Sequence, residues 1–87
     1  MTDAAPAEGR ITTAVHGPLL LMQIDRPAKR NGFTPAMYRQ LAEAYSRLDD
    51  DAALRVGVLH AAGEHFTAGL DLPSFAPYMQ RGERVVP

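Results

Sequence analysis

Apolar residues first gather in two short runs, Ile11-Thr12-Thr13-Ala14-Val15 and Leu19-Leu20-Leu21-Met22-Gln23-Ile24, on either side of His16-Gly17-Pro18. Two extended runs around a Gly-Pro turn predict an antiparallel hairpin. The second run is apolar almost throughout, the pattern of a strand covered on both faces. The period then changes. Tyr38, Leu41, Tyr45 and Leu48 recur at steps of three and four, which predicts a helix with these residues on its buried face. Thr34 followed by Pro35 gives that helix a hydroxyl cap and a proline in its first turn. Asp49, Asp50 and Asp51 oppose the helix dipole and mark its end. Arg55-Val56-Gly57-Val58-Leu59-His60 reads as a further strand, and Ala61-Ala62-Gly63 as the loop after it. Phe66-Thr67-Ala68-Gly69-Leu70-Asp71-Leu72 turns into a second helix, with Pro73 early in it. Leu72, Phe75 and Met79 mark its apolar face and Gly82 its end. Residues 1–9 show no apolar period and read as a flexible tail.

The predicted order is β-β-α-β-α. A helix linking two strands implies a right-handed crossover and an α/β unit. A parallel pair covered on both faces needs more strands and helices than 87 residues supply, so the sequence reads as one piece of something larger.

Composition narrows the class of protein. A net charge of -1, with 22% charged residues, excludes the basic excess of a general nucleic-acid binder. There is no cysteine, so packing rather than a disulfide must hold the fold, and a reducing cytoplasm is the expected location. His16, His60 and His65 have no zinc-ligand spacing, and no metal is expected. The first ten residues are small, polar and acidic, unlike a signal peptide, and no apolar run approaches the ~20 residues that span a bilayer. A soluble, cytoplasmic protein is the expectation.

Two segments carry candidate chemistry. Asp25-Arg26-Pro27-Ala28-Lys29-Arg30-Asn31-Gly32-Phe33 places three cations at the end of a predicted buried strand. Such a loop either meets a phosphate-bearing ligand outside the sheet or is a solvated basic turn. In Gly63-Glu64-His65-Phe66-Thr67-Ala68-Gly69-Leu70-Asp71-Leu72, Gly69 opens a helix, and the amides that follow, starting with Leu70, point outward unpaired. An amide so placed suits an anion or a developing oxyanion; the plain alternative is a strand-to-helix turn that needs Gly69 for its backbone alone. Asp71 falls in the first turn, where a carboxylate is favoured and caps the loop. Glu64 and His65 lie beside this motif with no partner that would make either an acid or base, and His16 and His60 read as strand-end or packing residues.

Together the two segments resemble the crotonase superfamily (enoyl-CoA hydratase/isomerase family) in its N-terminal part. That family reads "D/N-R-P-x-x-x-N-A-hydrophobic", a helix, "V-x-V-hydrophobic-x-G", then "F-S/C-A-G-A-D-L". Here Asp25 to Phe33, Val56-Gly57-Val58-Leu59 and Phe66 to Leu72 follow in order at matching spacing. The resemblance spans about residues 11–80. It implies a crotonase-like ββα spiral, with residues 10–87 as the incomplete N-terminal part of an acyl-CoA domain. Leu70 would supply one backbone N–H of an oxyanion hole that polarises a thioester carbonyl. Ala28, Lys29, Arg30, Ala68, Gly69 and Asp71 would form the coenzyme A side of the site. Within that set Lys29 or Arg30 would meet a CoA phosphate, and Asp71 would be structural rather than catalytic. Gly32 and Leu70 stand where the family commonly has alanine. The family's second oxyanion amide comes from a Gly-rich turn that has no counterpart in this sequence, and Glu43, Glu64 and Glu83 do not match its acid/base positions. A CoA thioester would be the substrate, with no covalent cofactor, and the full protein would form trimers or hexamers. The alternative is a small acyl-CoA-binding or interaction module without catalysis.

Overall fold

The computed structural model describes residues 7–82 of the protein. Two strands, β1 (Arg10–His16) and β2 (Leu19–Asp25), form an antiparallel hairpin in which Arg10 pairs with Asp25 and His16 with Leu19. The turn between them is Gly17-Pro18. Gly17 sits at φ 57, a conformation a side chain would strain, so glycine is the residue the turn needs. The chain then passes through a short 3₁₀ turn, Pro27–Lys29, into helix α1 (Pro35–Asp50). Strand β3 (Val56–Ala61) returns parallel to β2, giving a three-stranded sheet in the order β1-β2-β3, and helix α2 (Leu72–Arg81) follows.

Helix α1 begins where Thr34-Pro35 predicts it. The Thr34 hydroxyl accepts from the Met37 N–H, and it donates to the Glu8 carbonyl oxygen at 2.6 Å. The helix lies across the face of the sheet that carries Leu20, Met22 and Ile24. With Ile11, Phe33, Met37, Ala44 and Leu54 these make the core, and Leu41, Leu48, Leu59 and Ala61 pack against it. Burying a Leu, Ile or Met side chain contributes about 1.5–3 kcal/mol, so the alternate residues of β2 carry much of the fold.

Three sequence expectations are corrected. The buried face of α1 is Met37-Leu41-Ala44-Leu48, while Tyr38 and Tyr45 are exposed. The two tyrosines share the helical spacing but lie one position around the helix, where the hydroxyl reaches water. Strand β2 is covered on one face only: Leu20, Met22 and Ile24 are buried, and Leu19, Leu21 and Gln23 between them are half-buried. On α2, Phe75 is buried and meets Tyr38 edge-on, with ring centroids 6.4 Å apart, whereas Leu72 and Met79 are exposed. His60, next to the last residue of β3, is exposed, in line with the strand-end alternative rather than the packing one. Residues 7–9 of the N-terminal tail carry defined contacts: besides the Glu8 bond, the Ala7 carbonyl accepts from Arg26 and Gly9 is buried. These contacts stand against the flexible-tail expectation at 7–9; its part at residues 1–6 lies, like residues 83–87, outside the described residues.

Candidate functional site

At the end of β2 the chain leaves the sheet through Arg26 and coils tightly. The Asn31 N–H bonds the Arg26 carbonyl at 2.9 Å, and Arg30 and Asn31 both take positive φ, 52 and 57. Asparagine tolerates this conformation better than most residues. Its side chain uses the position fully. Asn31 is completely buried; its Oδ1 accepts from the Arg26 N–H at 2.7 Å, and its Nδ2 donates to the carbonyls of Ala62 (2.7 Å) and His65 (2.6 Å). One amide side chain therefore fastens the loop after β2 to the loop after β3.

Arg26 makes the second fastening. It is buried, with Nη1 donating to the Gly32 carbonyl (3.1 Å) and to Asp71 Oδ2 (2.8 Å), and Nε to the Ala7 carbonyl (3.0 Å). Of the three cations in this loop, Arg26 is thus committed to the protein, while Lys29 and Arg30 are exposed. Asp71 is the residue before α2, yet its side chain makes no cap to the helix. The expected capping role is corrected: the guanidinium of Arg26, 45 positions earlier, takes the carboxylate instead.

The two loops then run side by side as a short parallel ladder. Phe33 N–H donates to the Gly69 carbonyl and Asp71 N–H to the Phe33 carbonyl, both at 2.8 Å, and Ala68 N–H donates to the Arg30 carbonyl at 3.0 Å. The consequence for Leu70 is geometric. No peptide bond among the described residues is cis, and in a planar trans peptide the C=O and N–H point in opposite directions. The Gly69 carbonyl faces Phe33, so the Leu70 N–H faces away from it. Among the described residues this N–H has no acceptor.

Arg26, Lys29, Gly32, Ala68, Gly69, Leu70 and Asp71 line one open cleft of about 220 Å3. The structure therefore brings Lys29, Ala68, Gly69, Leu70 and Asp71 together. Ala28 and Arg30 are exposed nearby and do not line the cleft, although the Arg30 carbonyl belongs to the ladder. Glu64 and His65 are exposed, and Glu43 lies on a separate groove with Ile11, Thr13 and Arg47. Among the described residues no cluster of three or more His, Cys, Asp or Glu is placed to hold a metal, and no helix is long and apolar enough to cross a membrane. Sequence reasoning missed the structural work of Arg26 and Asn31. The available signal was Asn31-Gly32, a pair that favours turns with positive φ.

A family model for enoyl-CoA hydratase/isomerase matches residues 15–85. The chain belongs to the enoyl-CoA hydratase/isomerase family. It is 37% identical over 67 residues to the human mitochondrial Delta(3,5)-Delta(2,4)-dienoyl-CoA isomerase, covering 77% of this chain and 20% of that protein. It is 32% identical over 82 residues to the hydroxycinnamoyl-CoA hydratase-lyase of Pseudomonas fluorescens, covering 91% of this chain and 30% of the relative. Among solved structures, a probable enoyl-CoA hydratase/isomerase from Mycobacterium abscessus superposes with a TM-score of 0.83 at 40% identity, covering 88% of this chain and 30% of the other. The fold is the α/β architecture of these crotonase-type structures, present here in part. The chain spans about a fifth to a third of the length of the relatives it matches. Those relatives share a CoA thioester as substrate and differ in the reaction their names describe, isomerisation in one and hydration with lyase chemistry in the other.

Proposed function

We propose that this chain is the acyl-CoA-handling segment of an enoyl-CoA hydratase/isomerase-type enzyme, in which the Leu70 N–H holds the oxygen of a thioester carbonyl. The observation that carries the proposal is the Leu70 amide itself: it has no acceptor among the described residues, its residue lines a cleft, and its direction is fixed through Gly69 and Phe33. As an enolate forms, negative charge gathers on that oxygen, and a preorganised N–H stabilises the charged form more than the neutral one. Removing one such donor costs an enzyme about 3–4 kcal/mol of transition-state stabilisation.

The remainder of the cleft suits the rest of a CoA thioester. Ala68 and Gly69 are small and let a pantetheine chain approach the backbone. Lys29 is exposed at the rim, and Arg30 stands beside it, where either meets a phosphate of the nucleotide. The Leu70 side chain, 53% exposed, borders the acyl end and limits its shape.

Asp71 is the cleft's one carboxylate among the described residues, and Arg26 holds it. Among the described residues the cleft thus offers one candidate oxyanion donor and no carboxylate free of an ion pair, which favours, as the second reading, a non-catalytic acyl-CoA-binding module. Whether a full enzyme works as a lyase or an isomerase is decided by groups outside this cleft. Trimeric or hexameric assembly and a cytoplasmic location belong to the same proposal.

The test is a titration of the 87-residue protein with crotonyl-CoA, followed by the ultraviolet absorbance of the conjugated thioester. We expect saturable binding with no loss of absorbance. Absence of saturable binding sinks the acyl-CoA reading, and turnover by this chain alone contradicts the assignment of acid/base chemistry to other groups.

A further inference from the structure

The Leu70 amide is useful only if its direction is held, and the Phe33 ladder holds the Gly69 carbonyl of the Gly69–Leu70 peptide and the Asp71 N–H beyond it. The Ala68–Gly69 peptide before it is held by a side chain. Thr67 Oγ1 donates to the Asn31 carbonyl at 2.7 Å and accepts from the Gly69 N–H at 3.1 Å. The Gly69 N–H and C=O are therefore both occupied, by Thr67 and by Phe33, although Gly69 itself sits at φ 94. Glycine has the widest backbone freedom of any residue, and nothing lies within 4 Å of where its Cβ would be. With no side chain of its own to pack, Gly69 is held in this conformation by the hydrogen bonds on its N–H and its C=O.

We propose that Thr67 is a positioning residue of this site: its hydroxyl, bonded to the Asn31 carbonyl and the Gly69 N–H, holds the Ala68–Gly69 peptide and so sets the Gly69 conformation from which the next peptide presents the Leu70 N–H to the thioester oxygen. This inference rests on the oxyanion reading above. It assigns the orientation to a side chain that itself touches no substrate atom. The hydroxyl links the site to Asn31, which is fully buried and tied to Arg26, Ala62 and His65, so the anchor at the far end is rigid. Valine in place of Thr67 keeps the shape and removes both hydrogen bonds, leaving Gly69 held through its carbonyl alone. Serine keeps the hydroxyl.

The experiment uses crotonyl-CoA labelled with ¹³C at the thioester carbon, bound at saturation to the protein and to the Thr67→Val and Thr67→Ser variants. A hydrogen bond to the carbonyl oxygen moves that carbon's resonance downfield from its position in free crotonyl-CoA. The account expects a downfield displacement in the unsubstituted protein, a smaller one in Thr67→Val, and its return in Thr67→Ser. A purely structural Thr67 would lower the melting temperature of Thr67→Val and leave the displacement of the bound thioester untouched, so both are recorded for each variant. An unchanged displacement in Thr67→Val overturns the positioning role, as does a loss that Thr67→Ser fails to restore. No displacement in the unsubstituted protein overturns the oxyanion reading itself, and this inference with it.

Discussion

Asn31 shows how one side chain can hold a site that it does not enter. Its amide satisfies three backbone groups from two loops, and its own carbonyl accepts from Thr67. Replacing it with alanine leaves the Arg26 N–H and the Ala62 and His65 carbonyls without their partner, and forces alanine to hold φ 57. Each unsatisfied buried group costs about 1–3 kcal/mol, so Asn31→Ala is expected to lower stability by about 3 kcal/mol or more in chemical denaturation. A loss under about 1 kcal/mol would mean that water replaces the amide and that the loops are not fastened there. The same residues mark the limit of what sequence revealed. The positions of Lys29, Ala68, Gly69 and Leu70 around one cleft were legible, because two motifs at a fixed interval implied them. The Arg26–Asp71 pair was not: its partners stand 45 positions apart, and an arginine that closes a loop looks, in sequence, like one that binds phosphate.

At the scale of elements, the start of α1 ties the helix to the N-terminal segment. The Thr34 hydroxyl caps the helix and also donates to Glu8, so a single group serves both. Thr34→Ala is expected to cost about 1–2 kcal/mol, read as a drop in the denaturation midpoint with an unchanged slope. A neutral substitution would show that Pro35 and the Phe33 ladder suffice to start the helix. Element boundaries were legible because caps and turns are local: Gly17, Thr34-Pro35 and Gly82 each sit where the chain changes course. The choice of buried face was less so. Met37-Leu41-Ala44-Leu48 and Tyr38-Leu41-Tyr45-Leu48 satisfy the same period, and only the sheet beneath decides between them. Gly57 records how closely helix and sheet approach: a Cβ there would lie 2.7 Å from Leu48 Cδ2 and 2.9 Å from Met22 Cε.

At the scale of the whole molecule, three strands and two helices bring two distant loops to one end of the sheet, where Arg26, Asn31, Thr67 and Asp71 join them. The core on one face of the sheet closes under α1, whereas Val15, Val56 and Val58 are exposed. These exposed valines fit a sheet whose central strand, β2, reads in sequence as apolar on two sides and is covered by α1 on one of them. The site is more complete than the sheet, because its geometry depends on backbone ladders and on Asn31 rather than on the open face. The account therefore stands on one atom, the Leu70 amide nitrogen. The direct test replaces the Gly69–Leu70 amide bond by an ester through total synthesis of the 87-residue chain, which deletes the N–H and keeps the side chain. Bound crotonyl-CoA labelled with ¹³C at the thioester carbon should then lose most of its downfield displacement, at a melting temperature close to that of the all-amide protein. An ester-linked protein that displaces the thioester resonance as far as the amide does would contradict the assignment of Leu70 as the oxyanion donor.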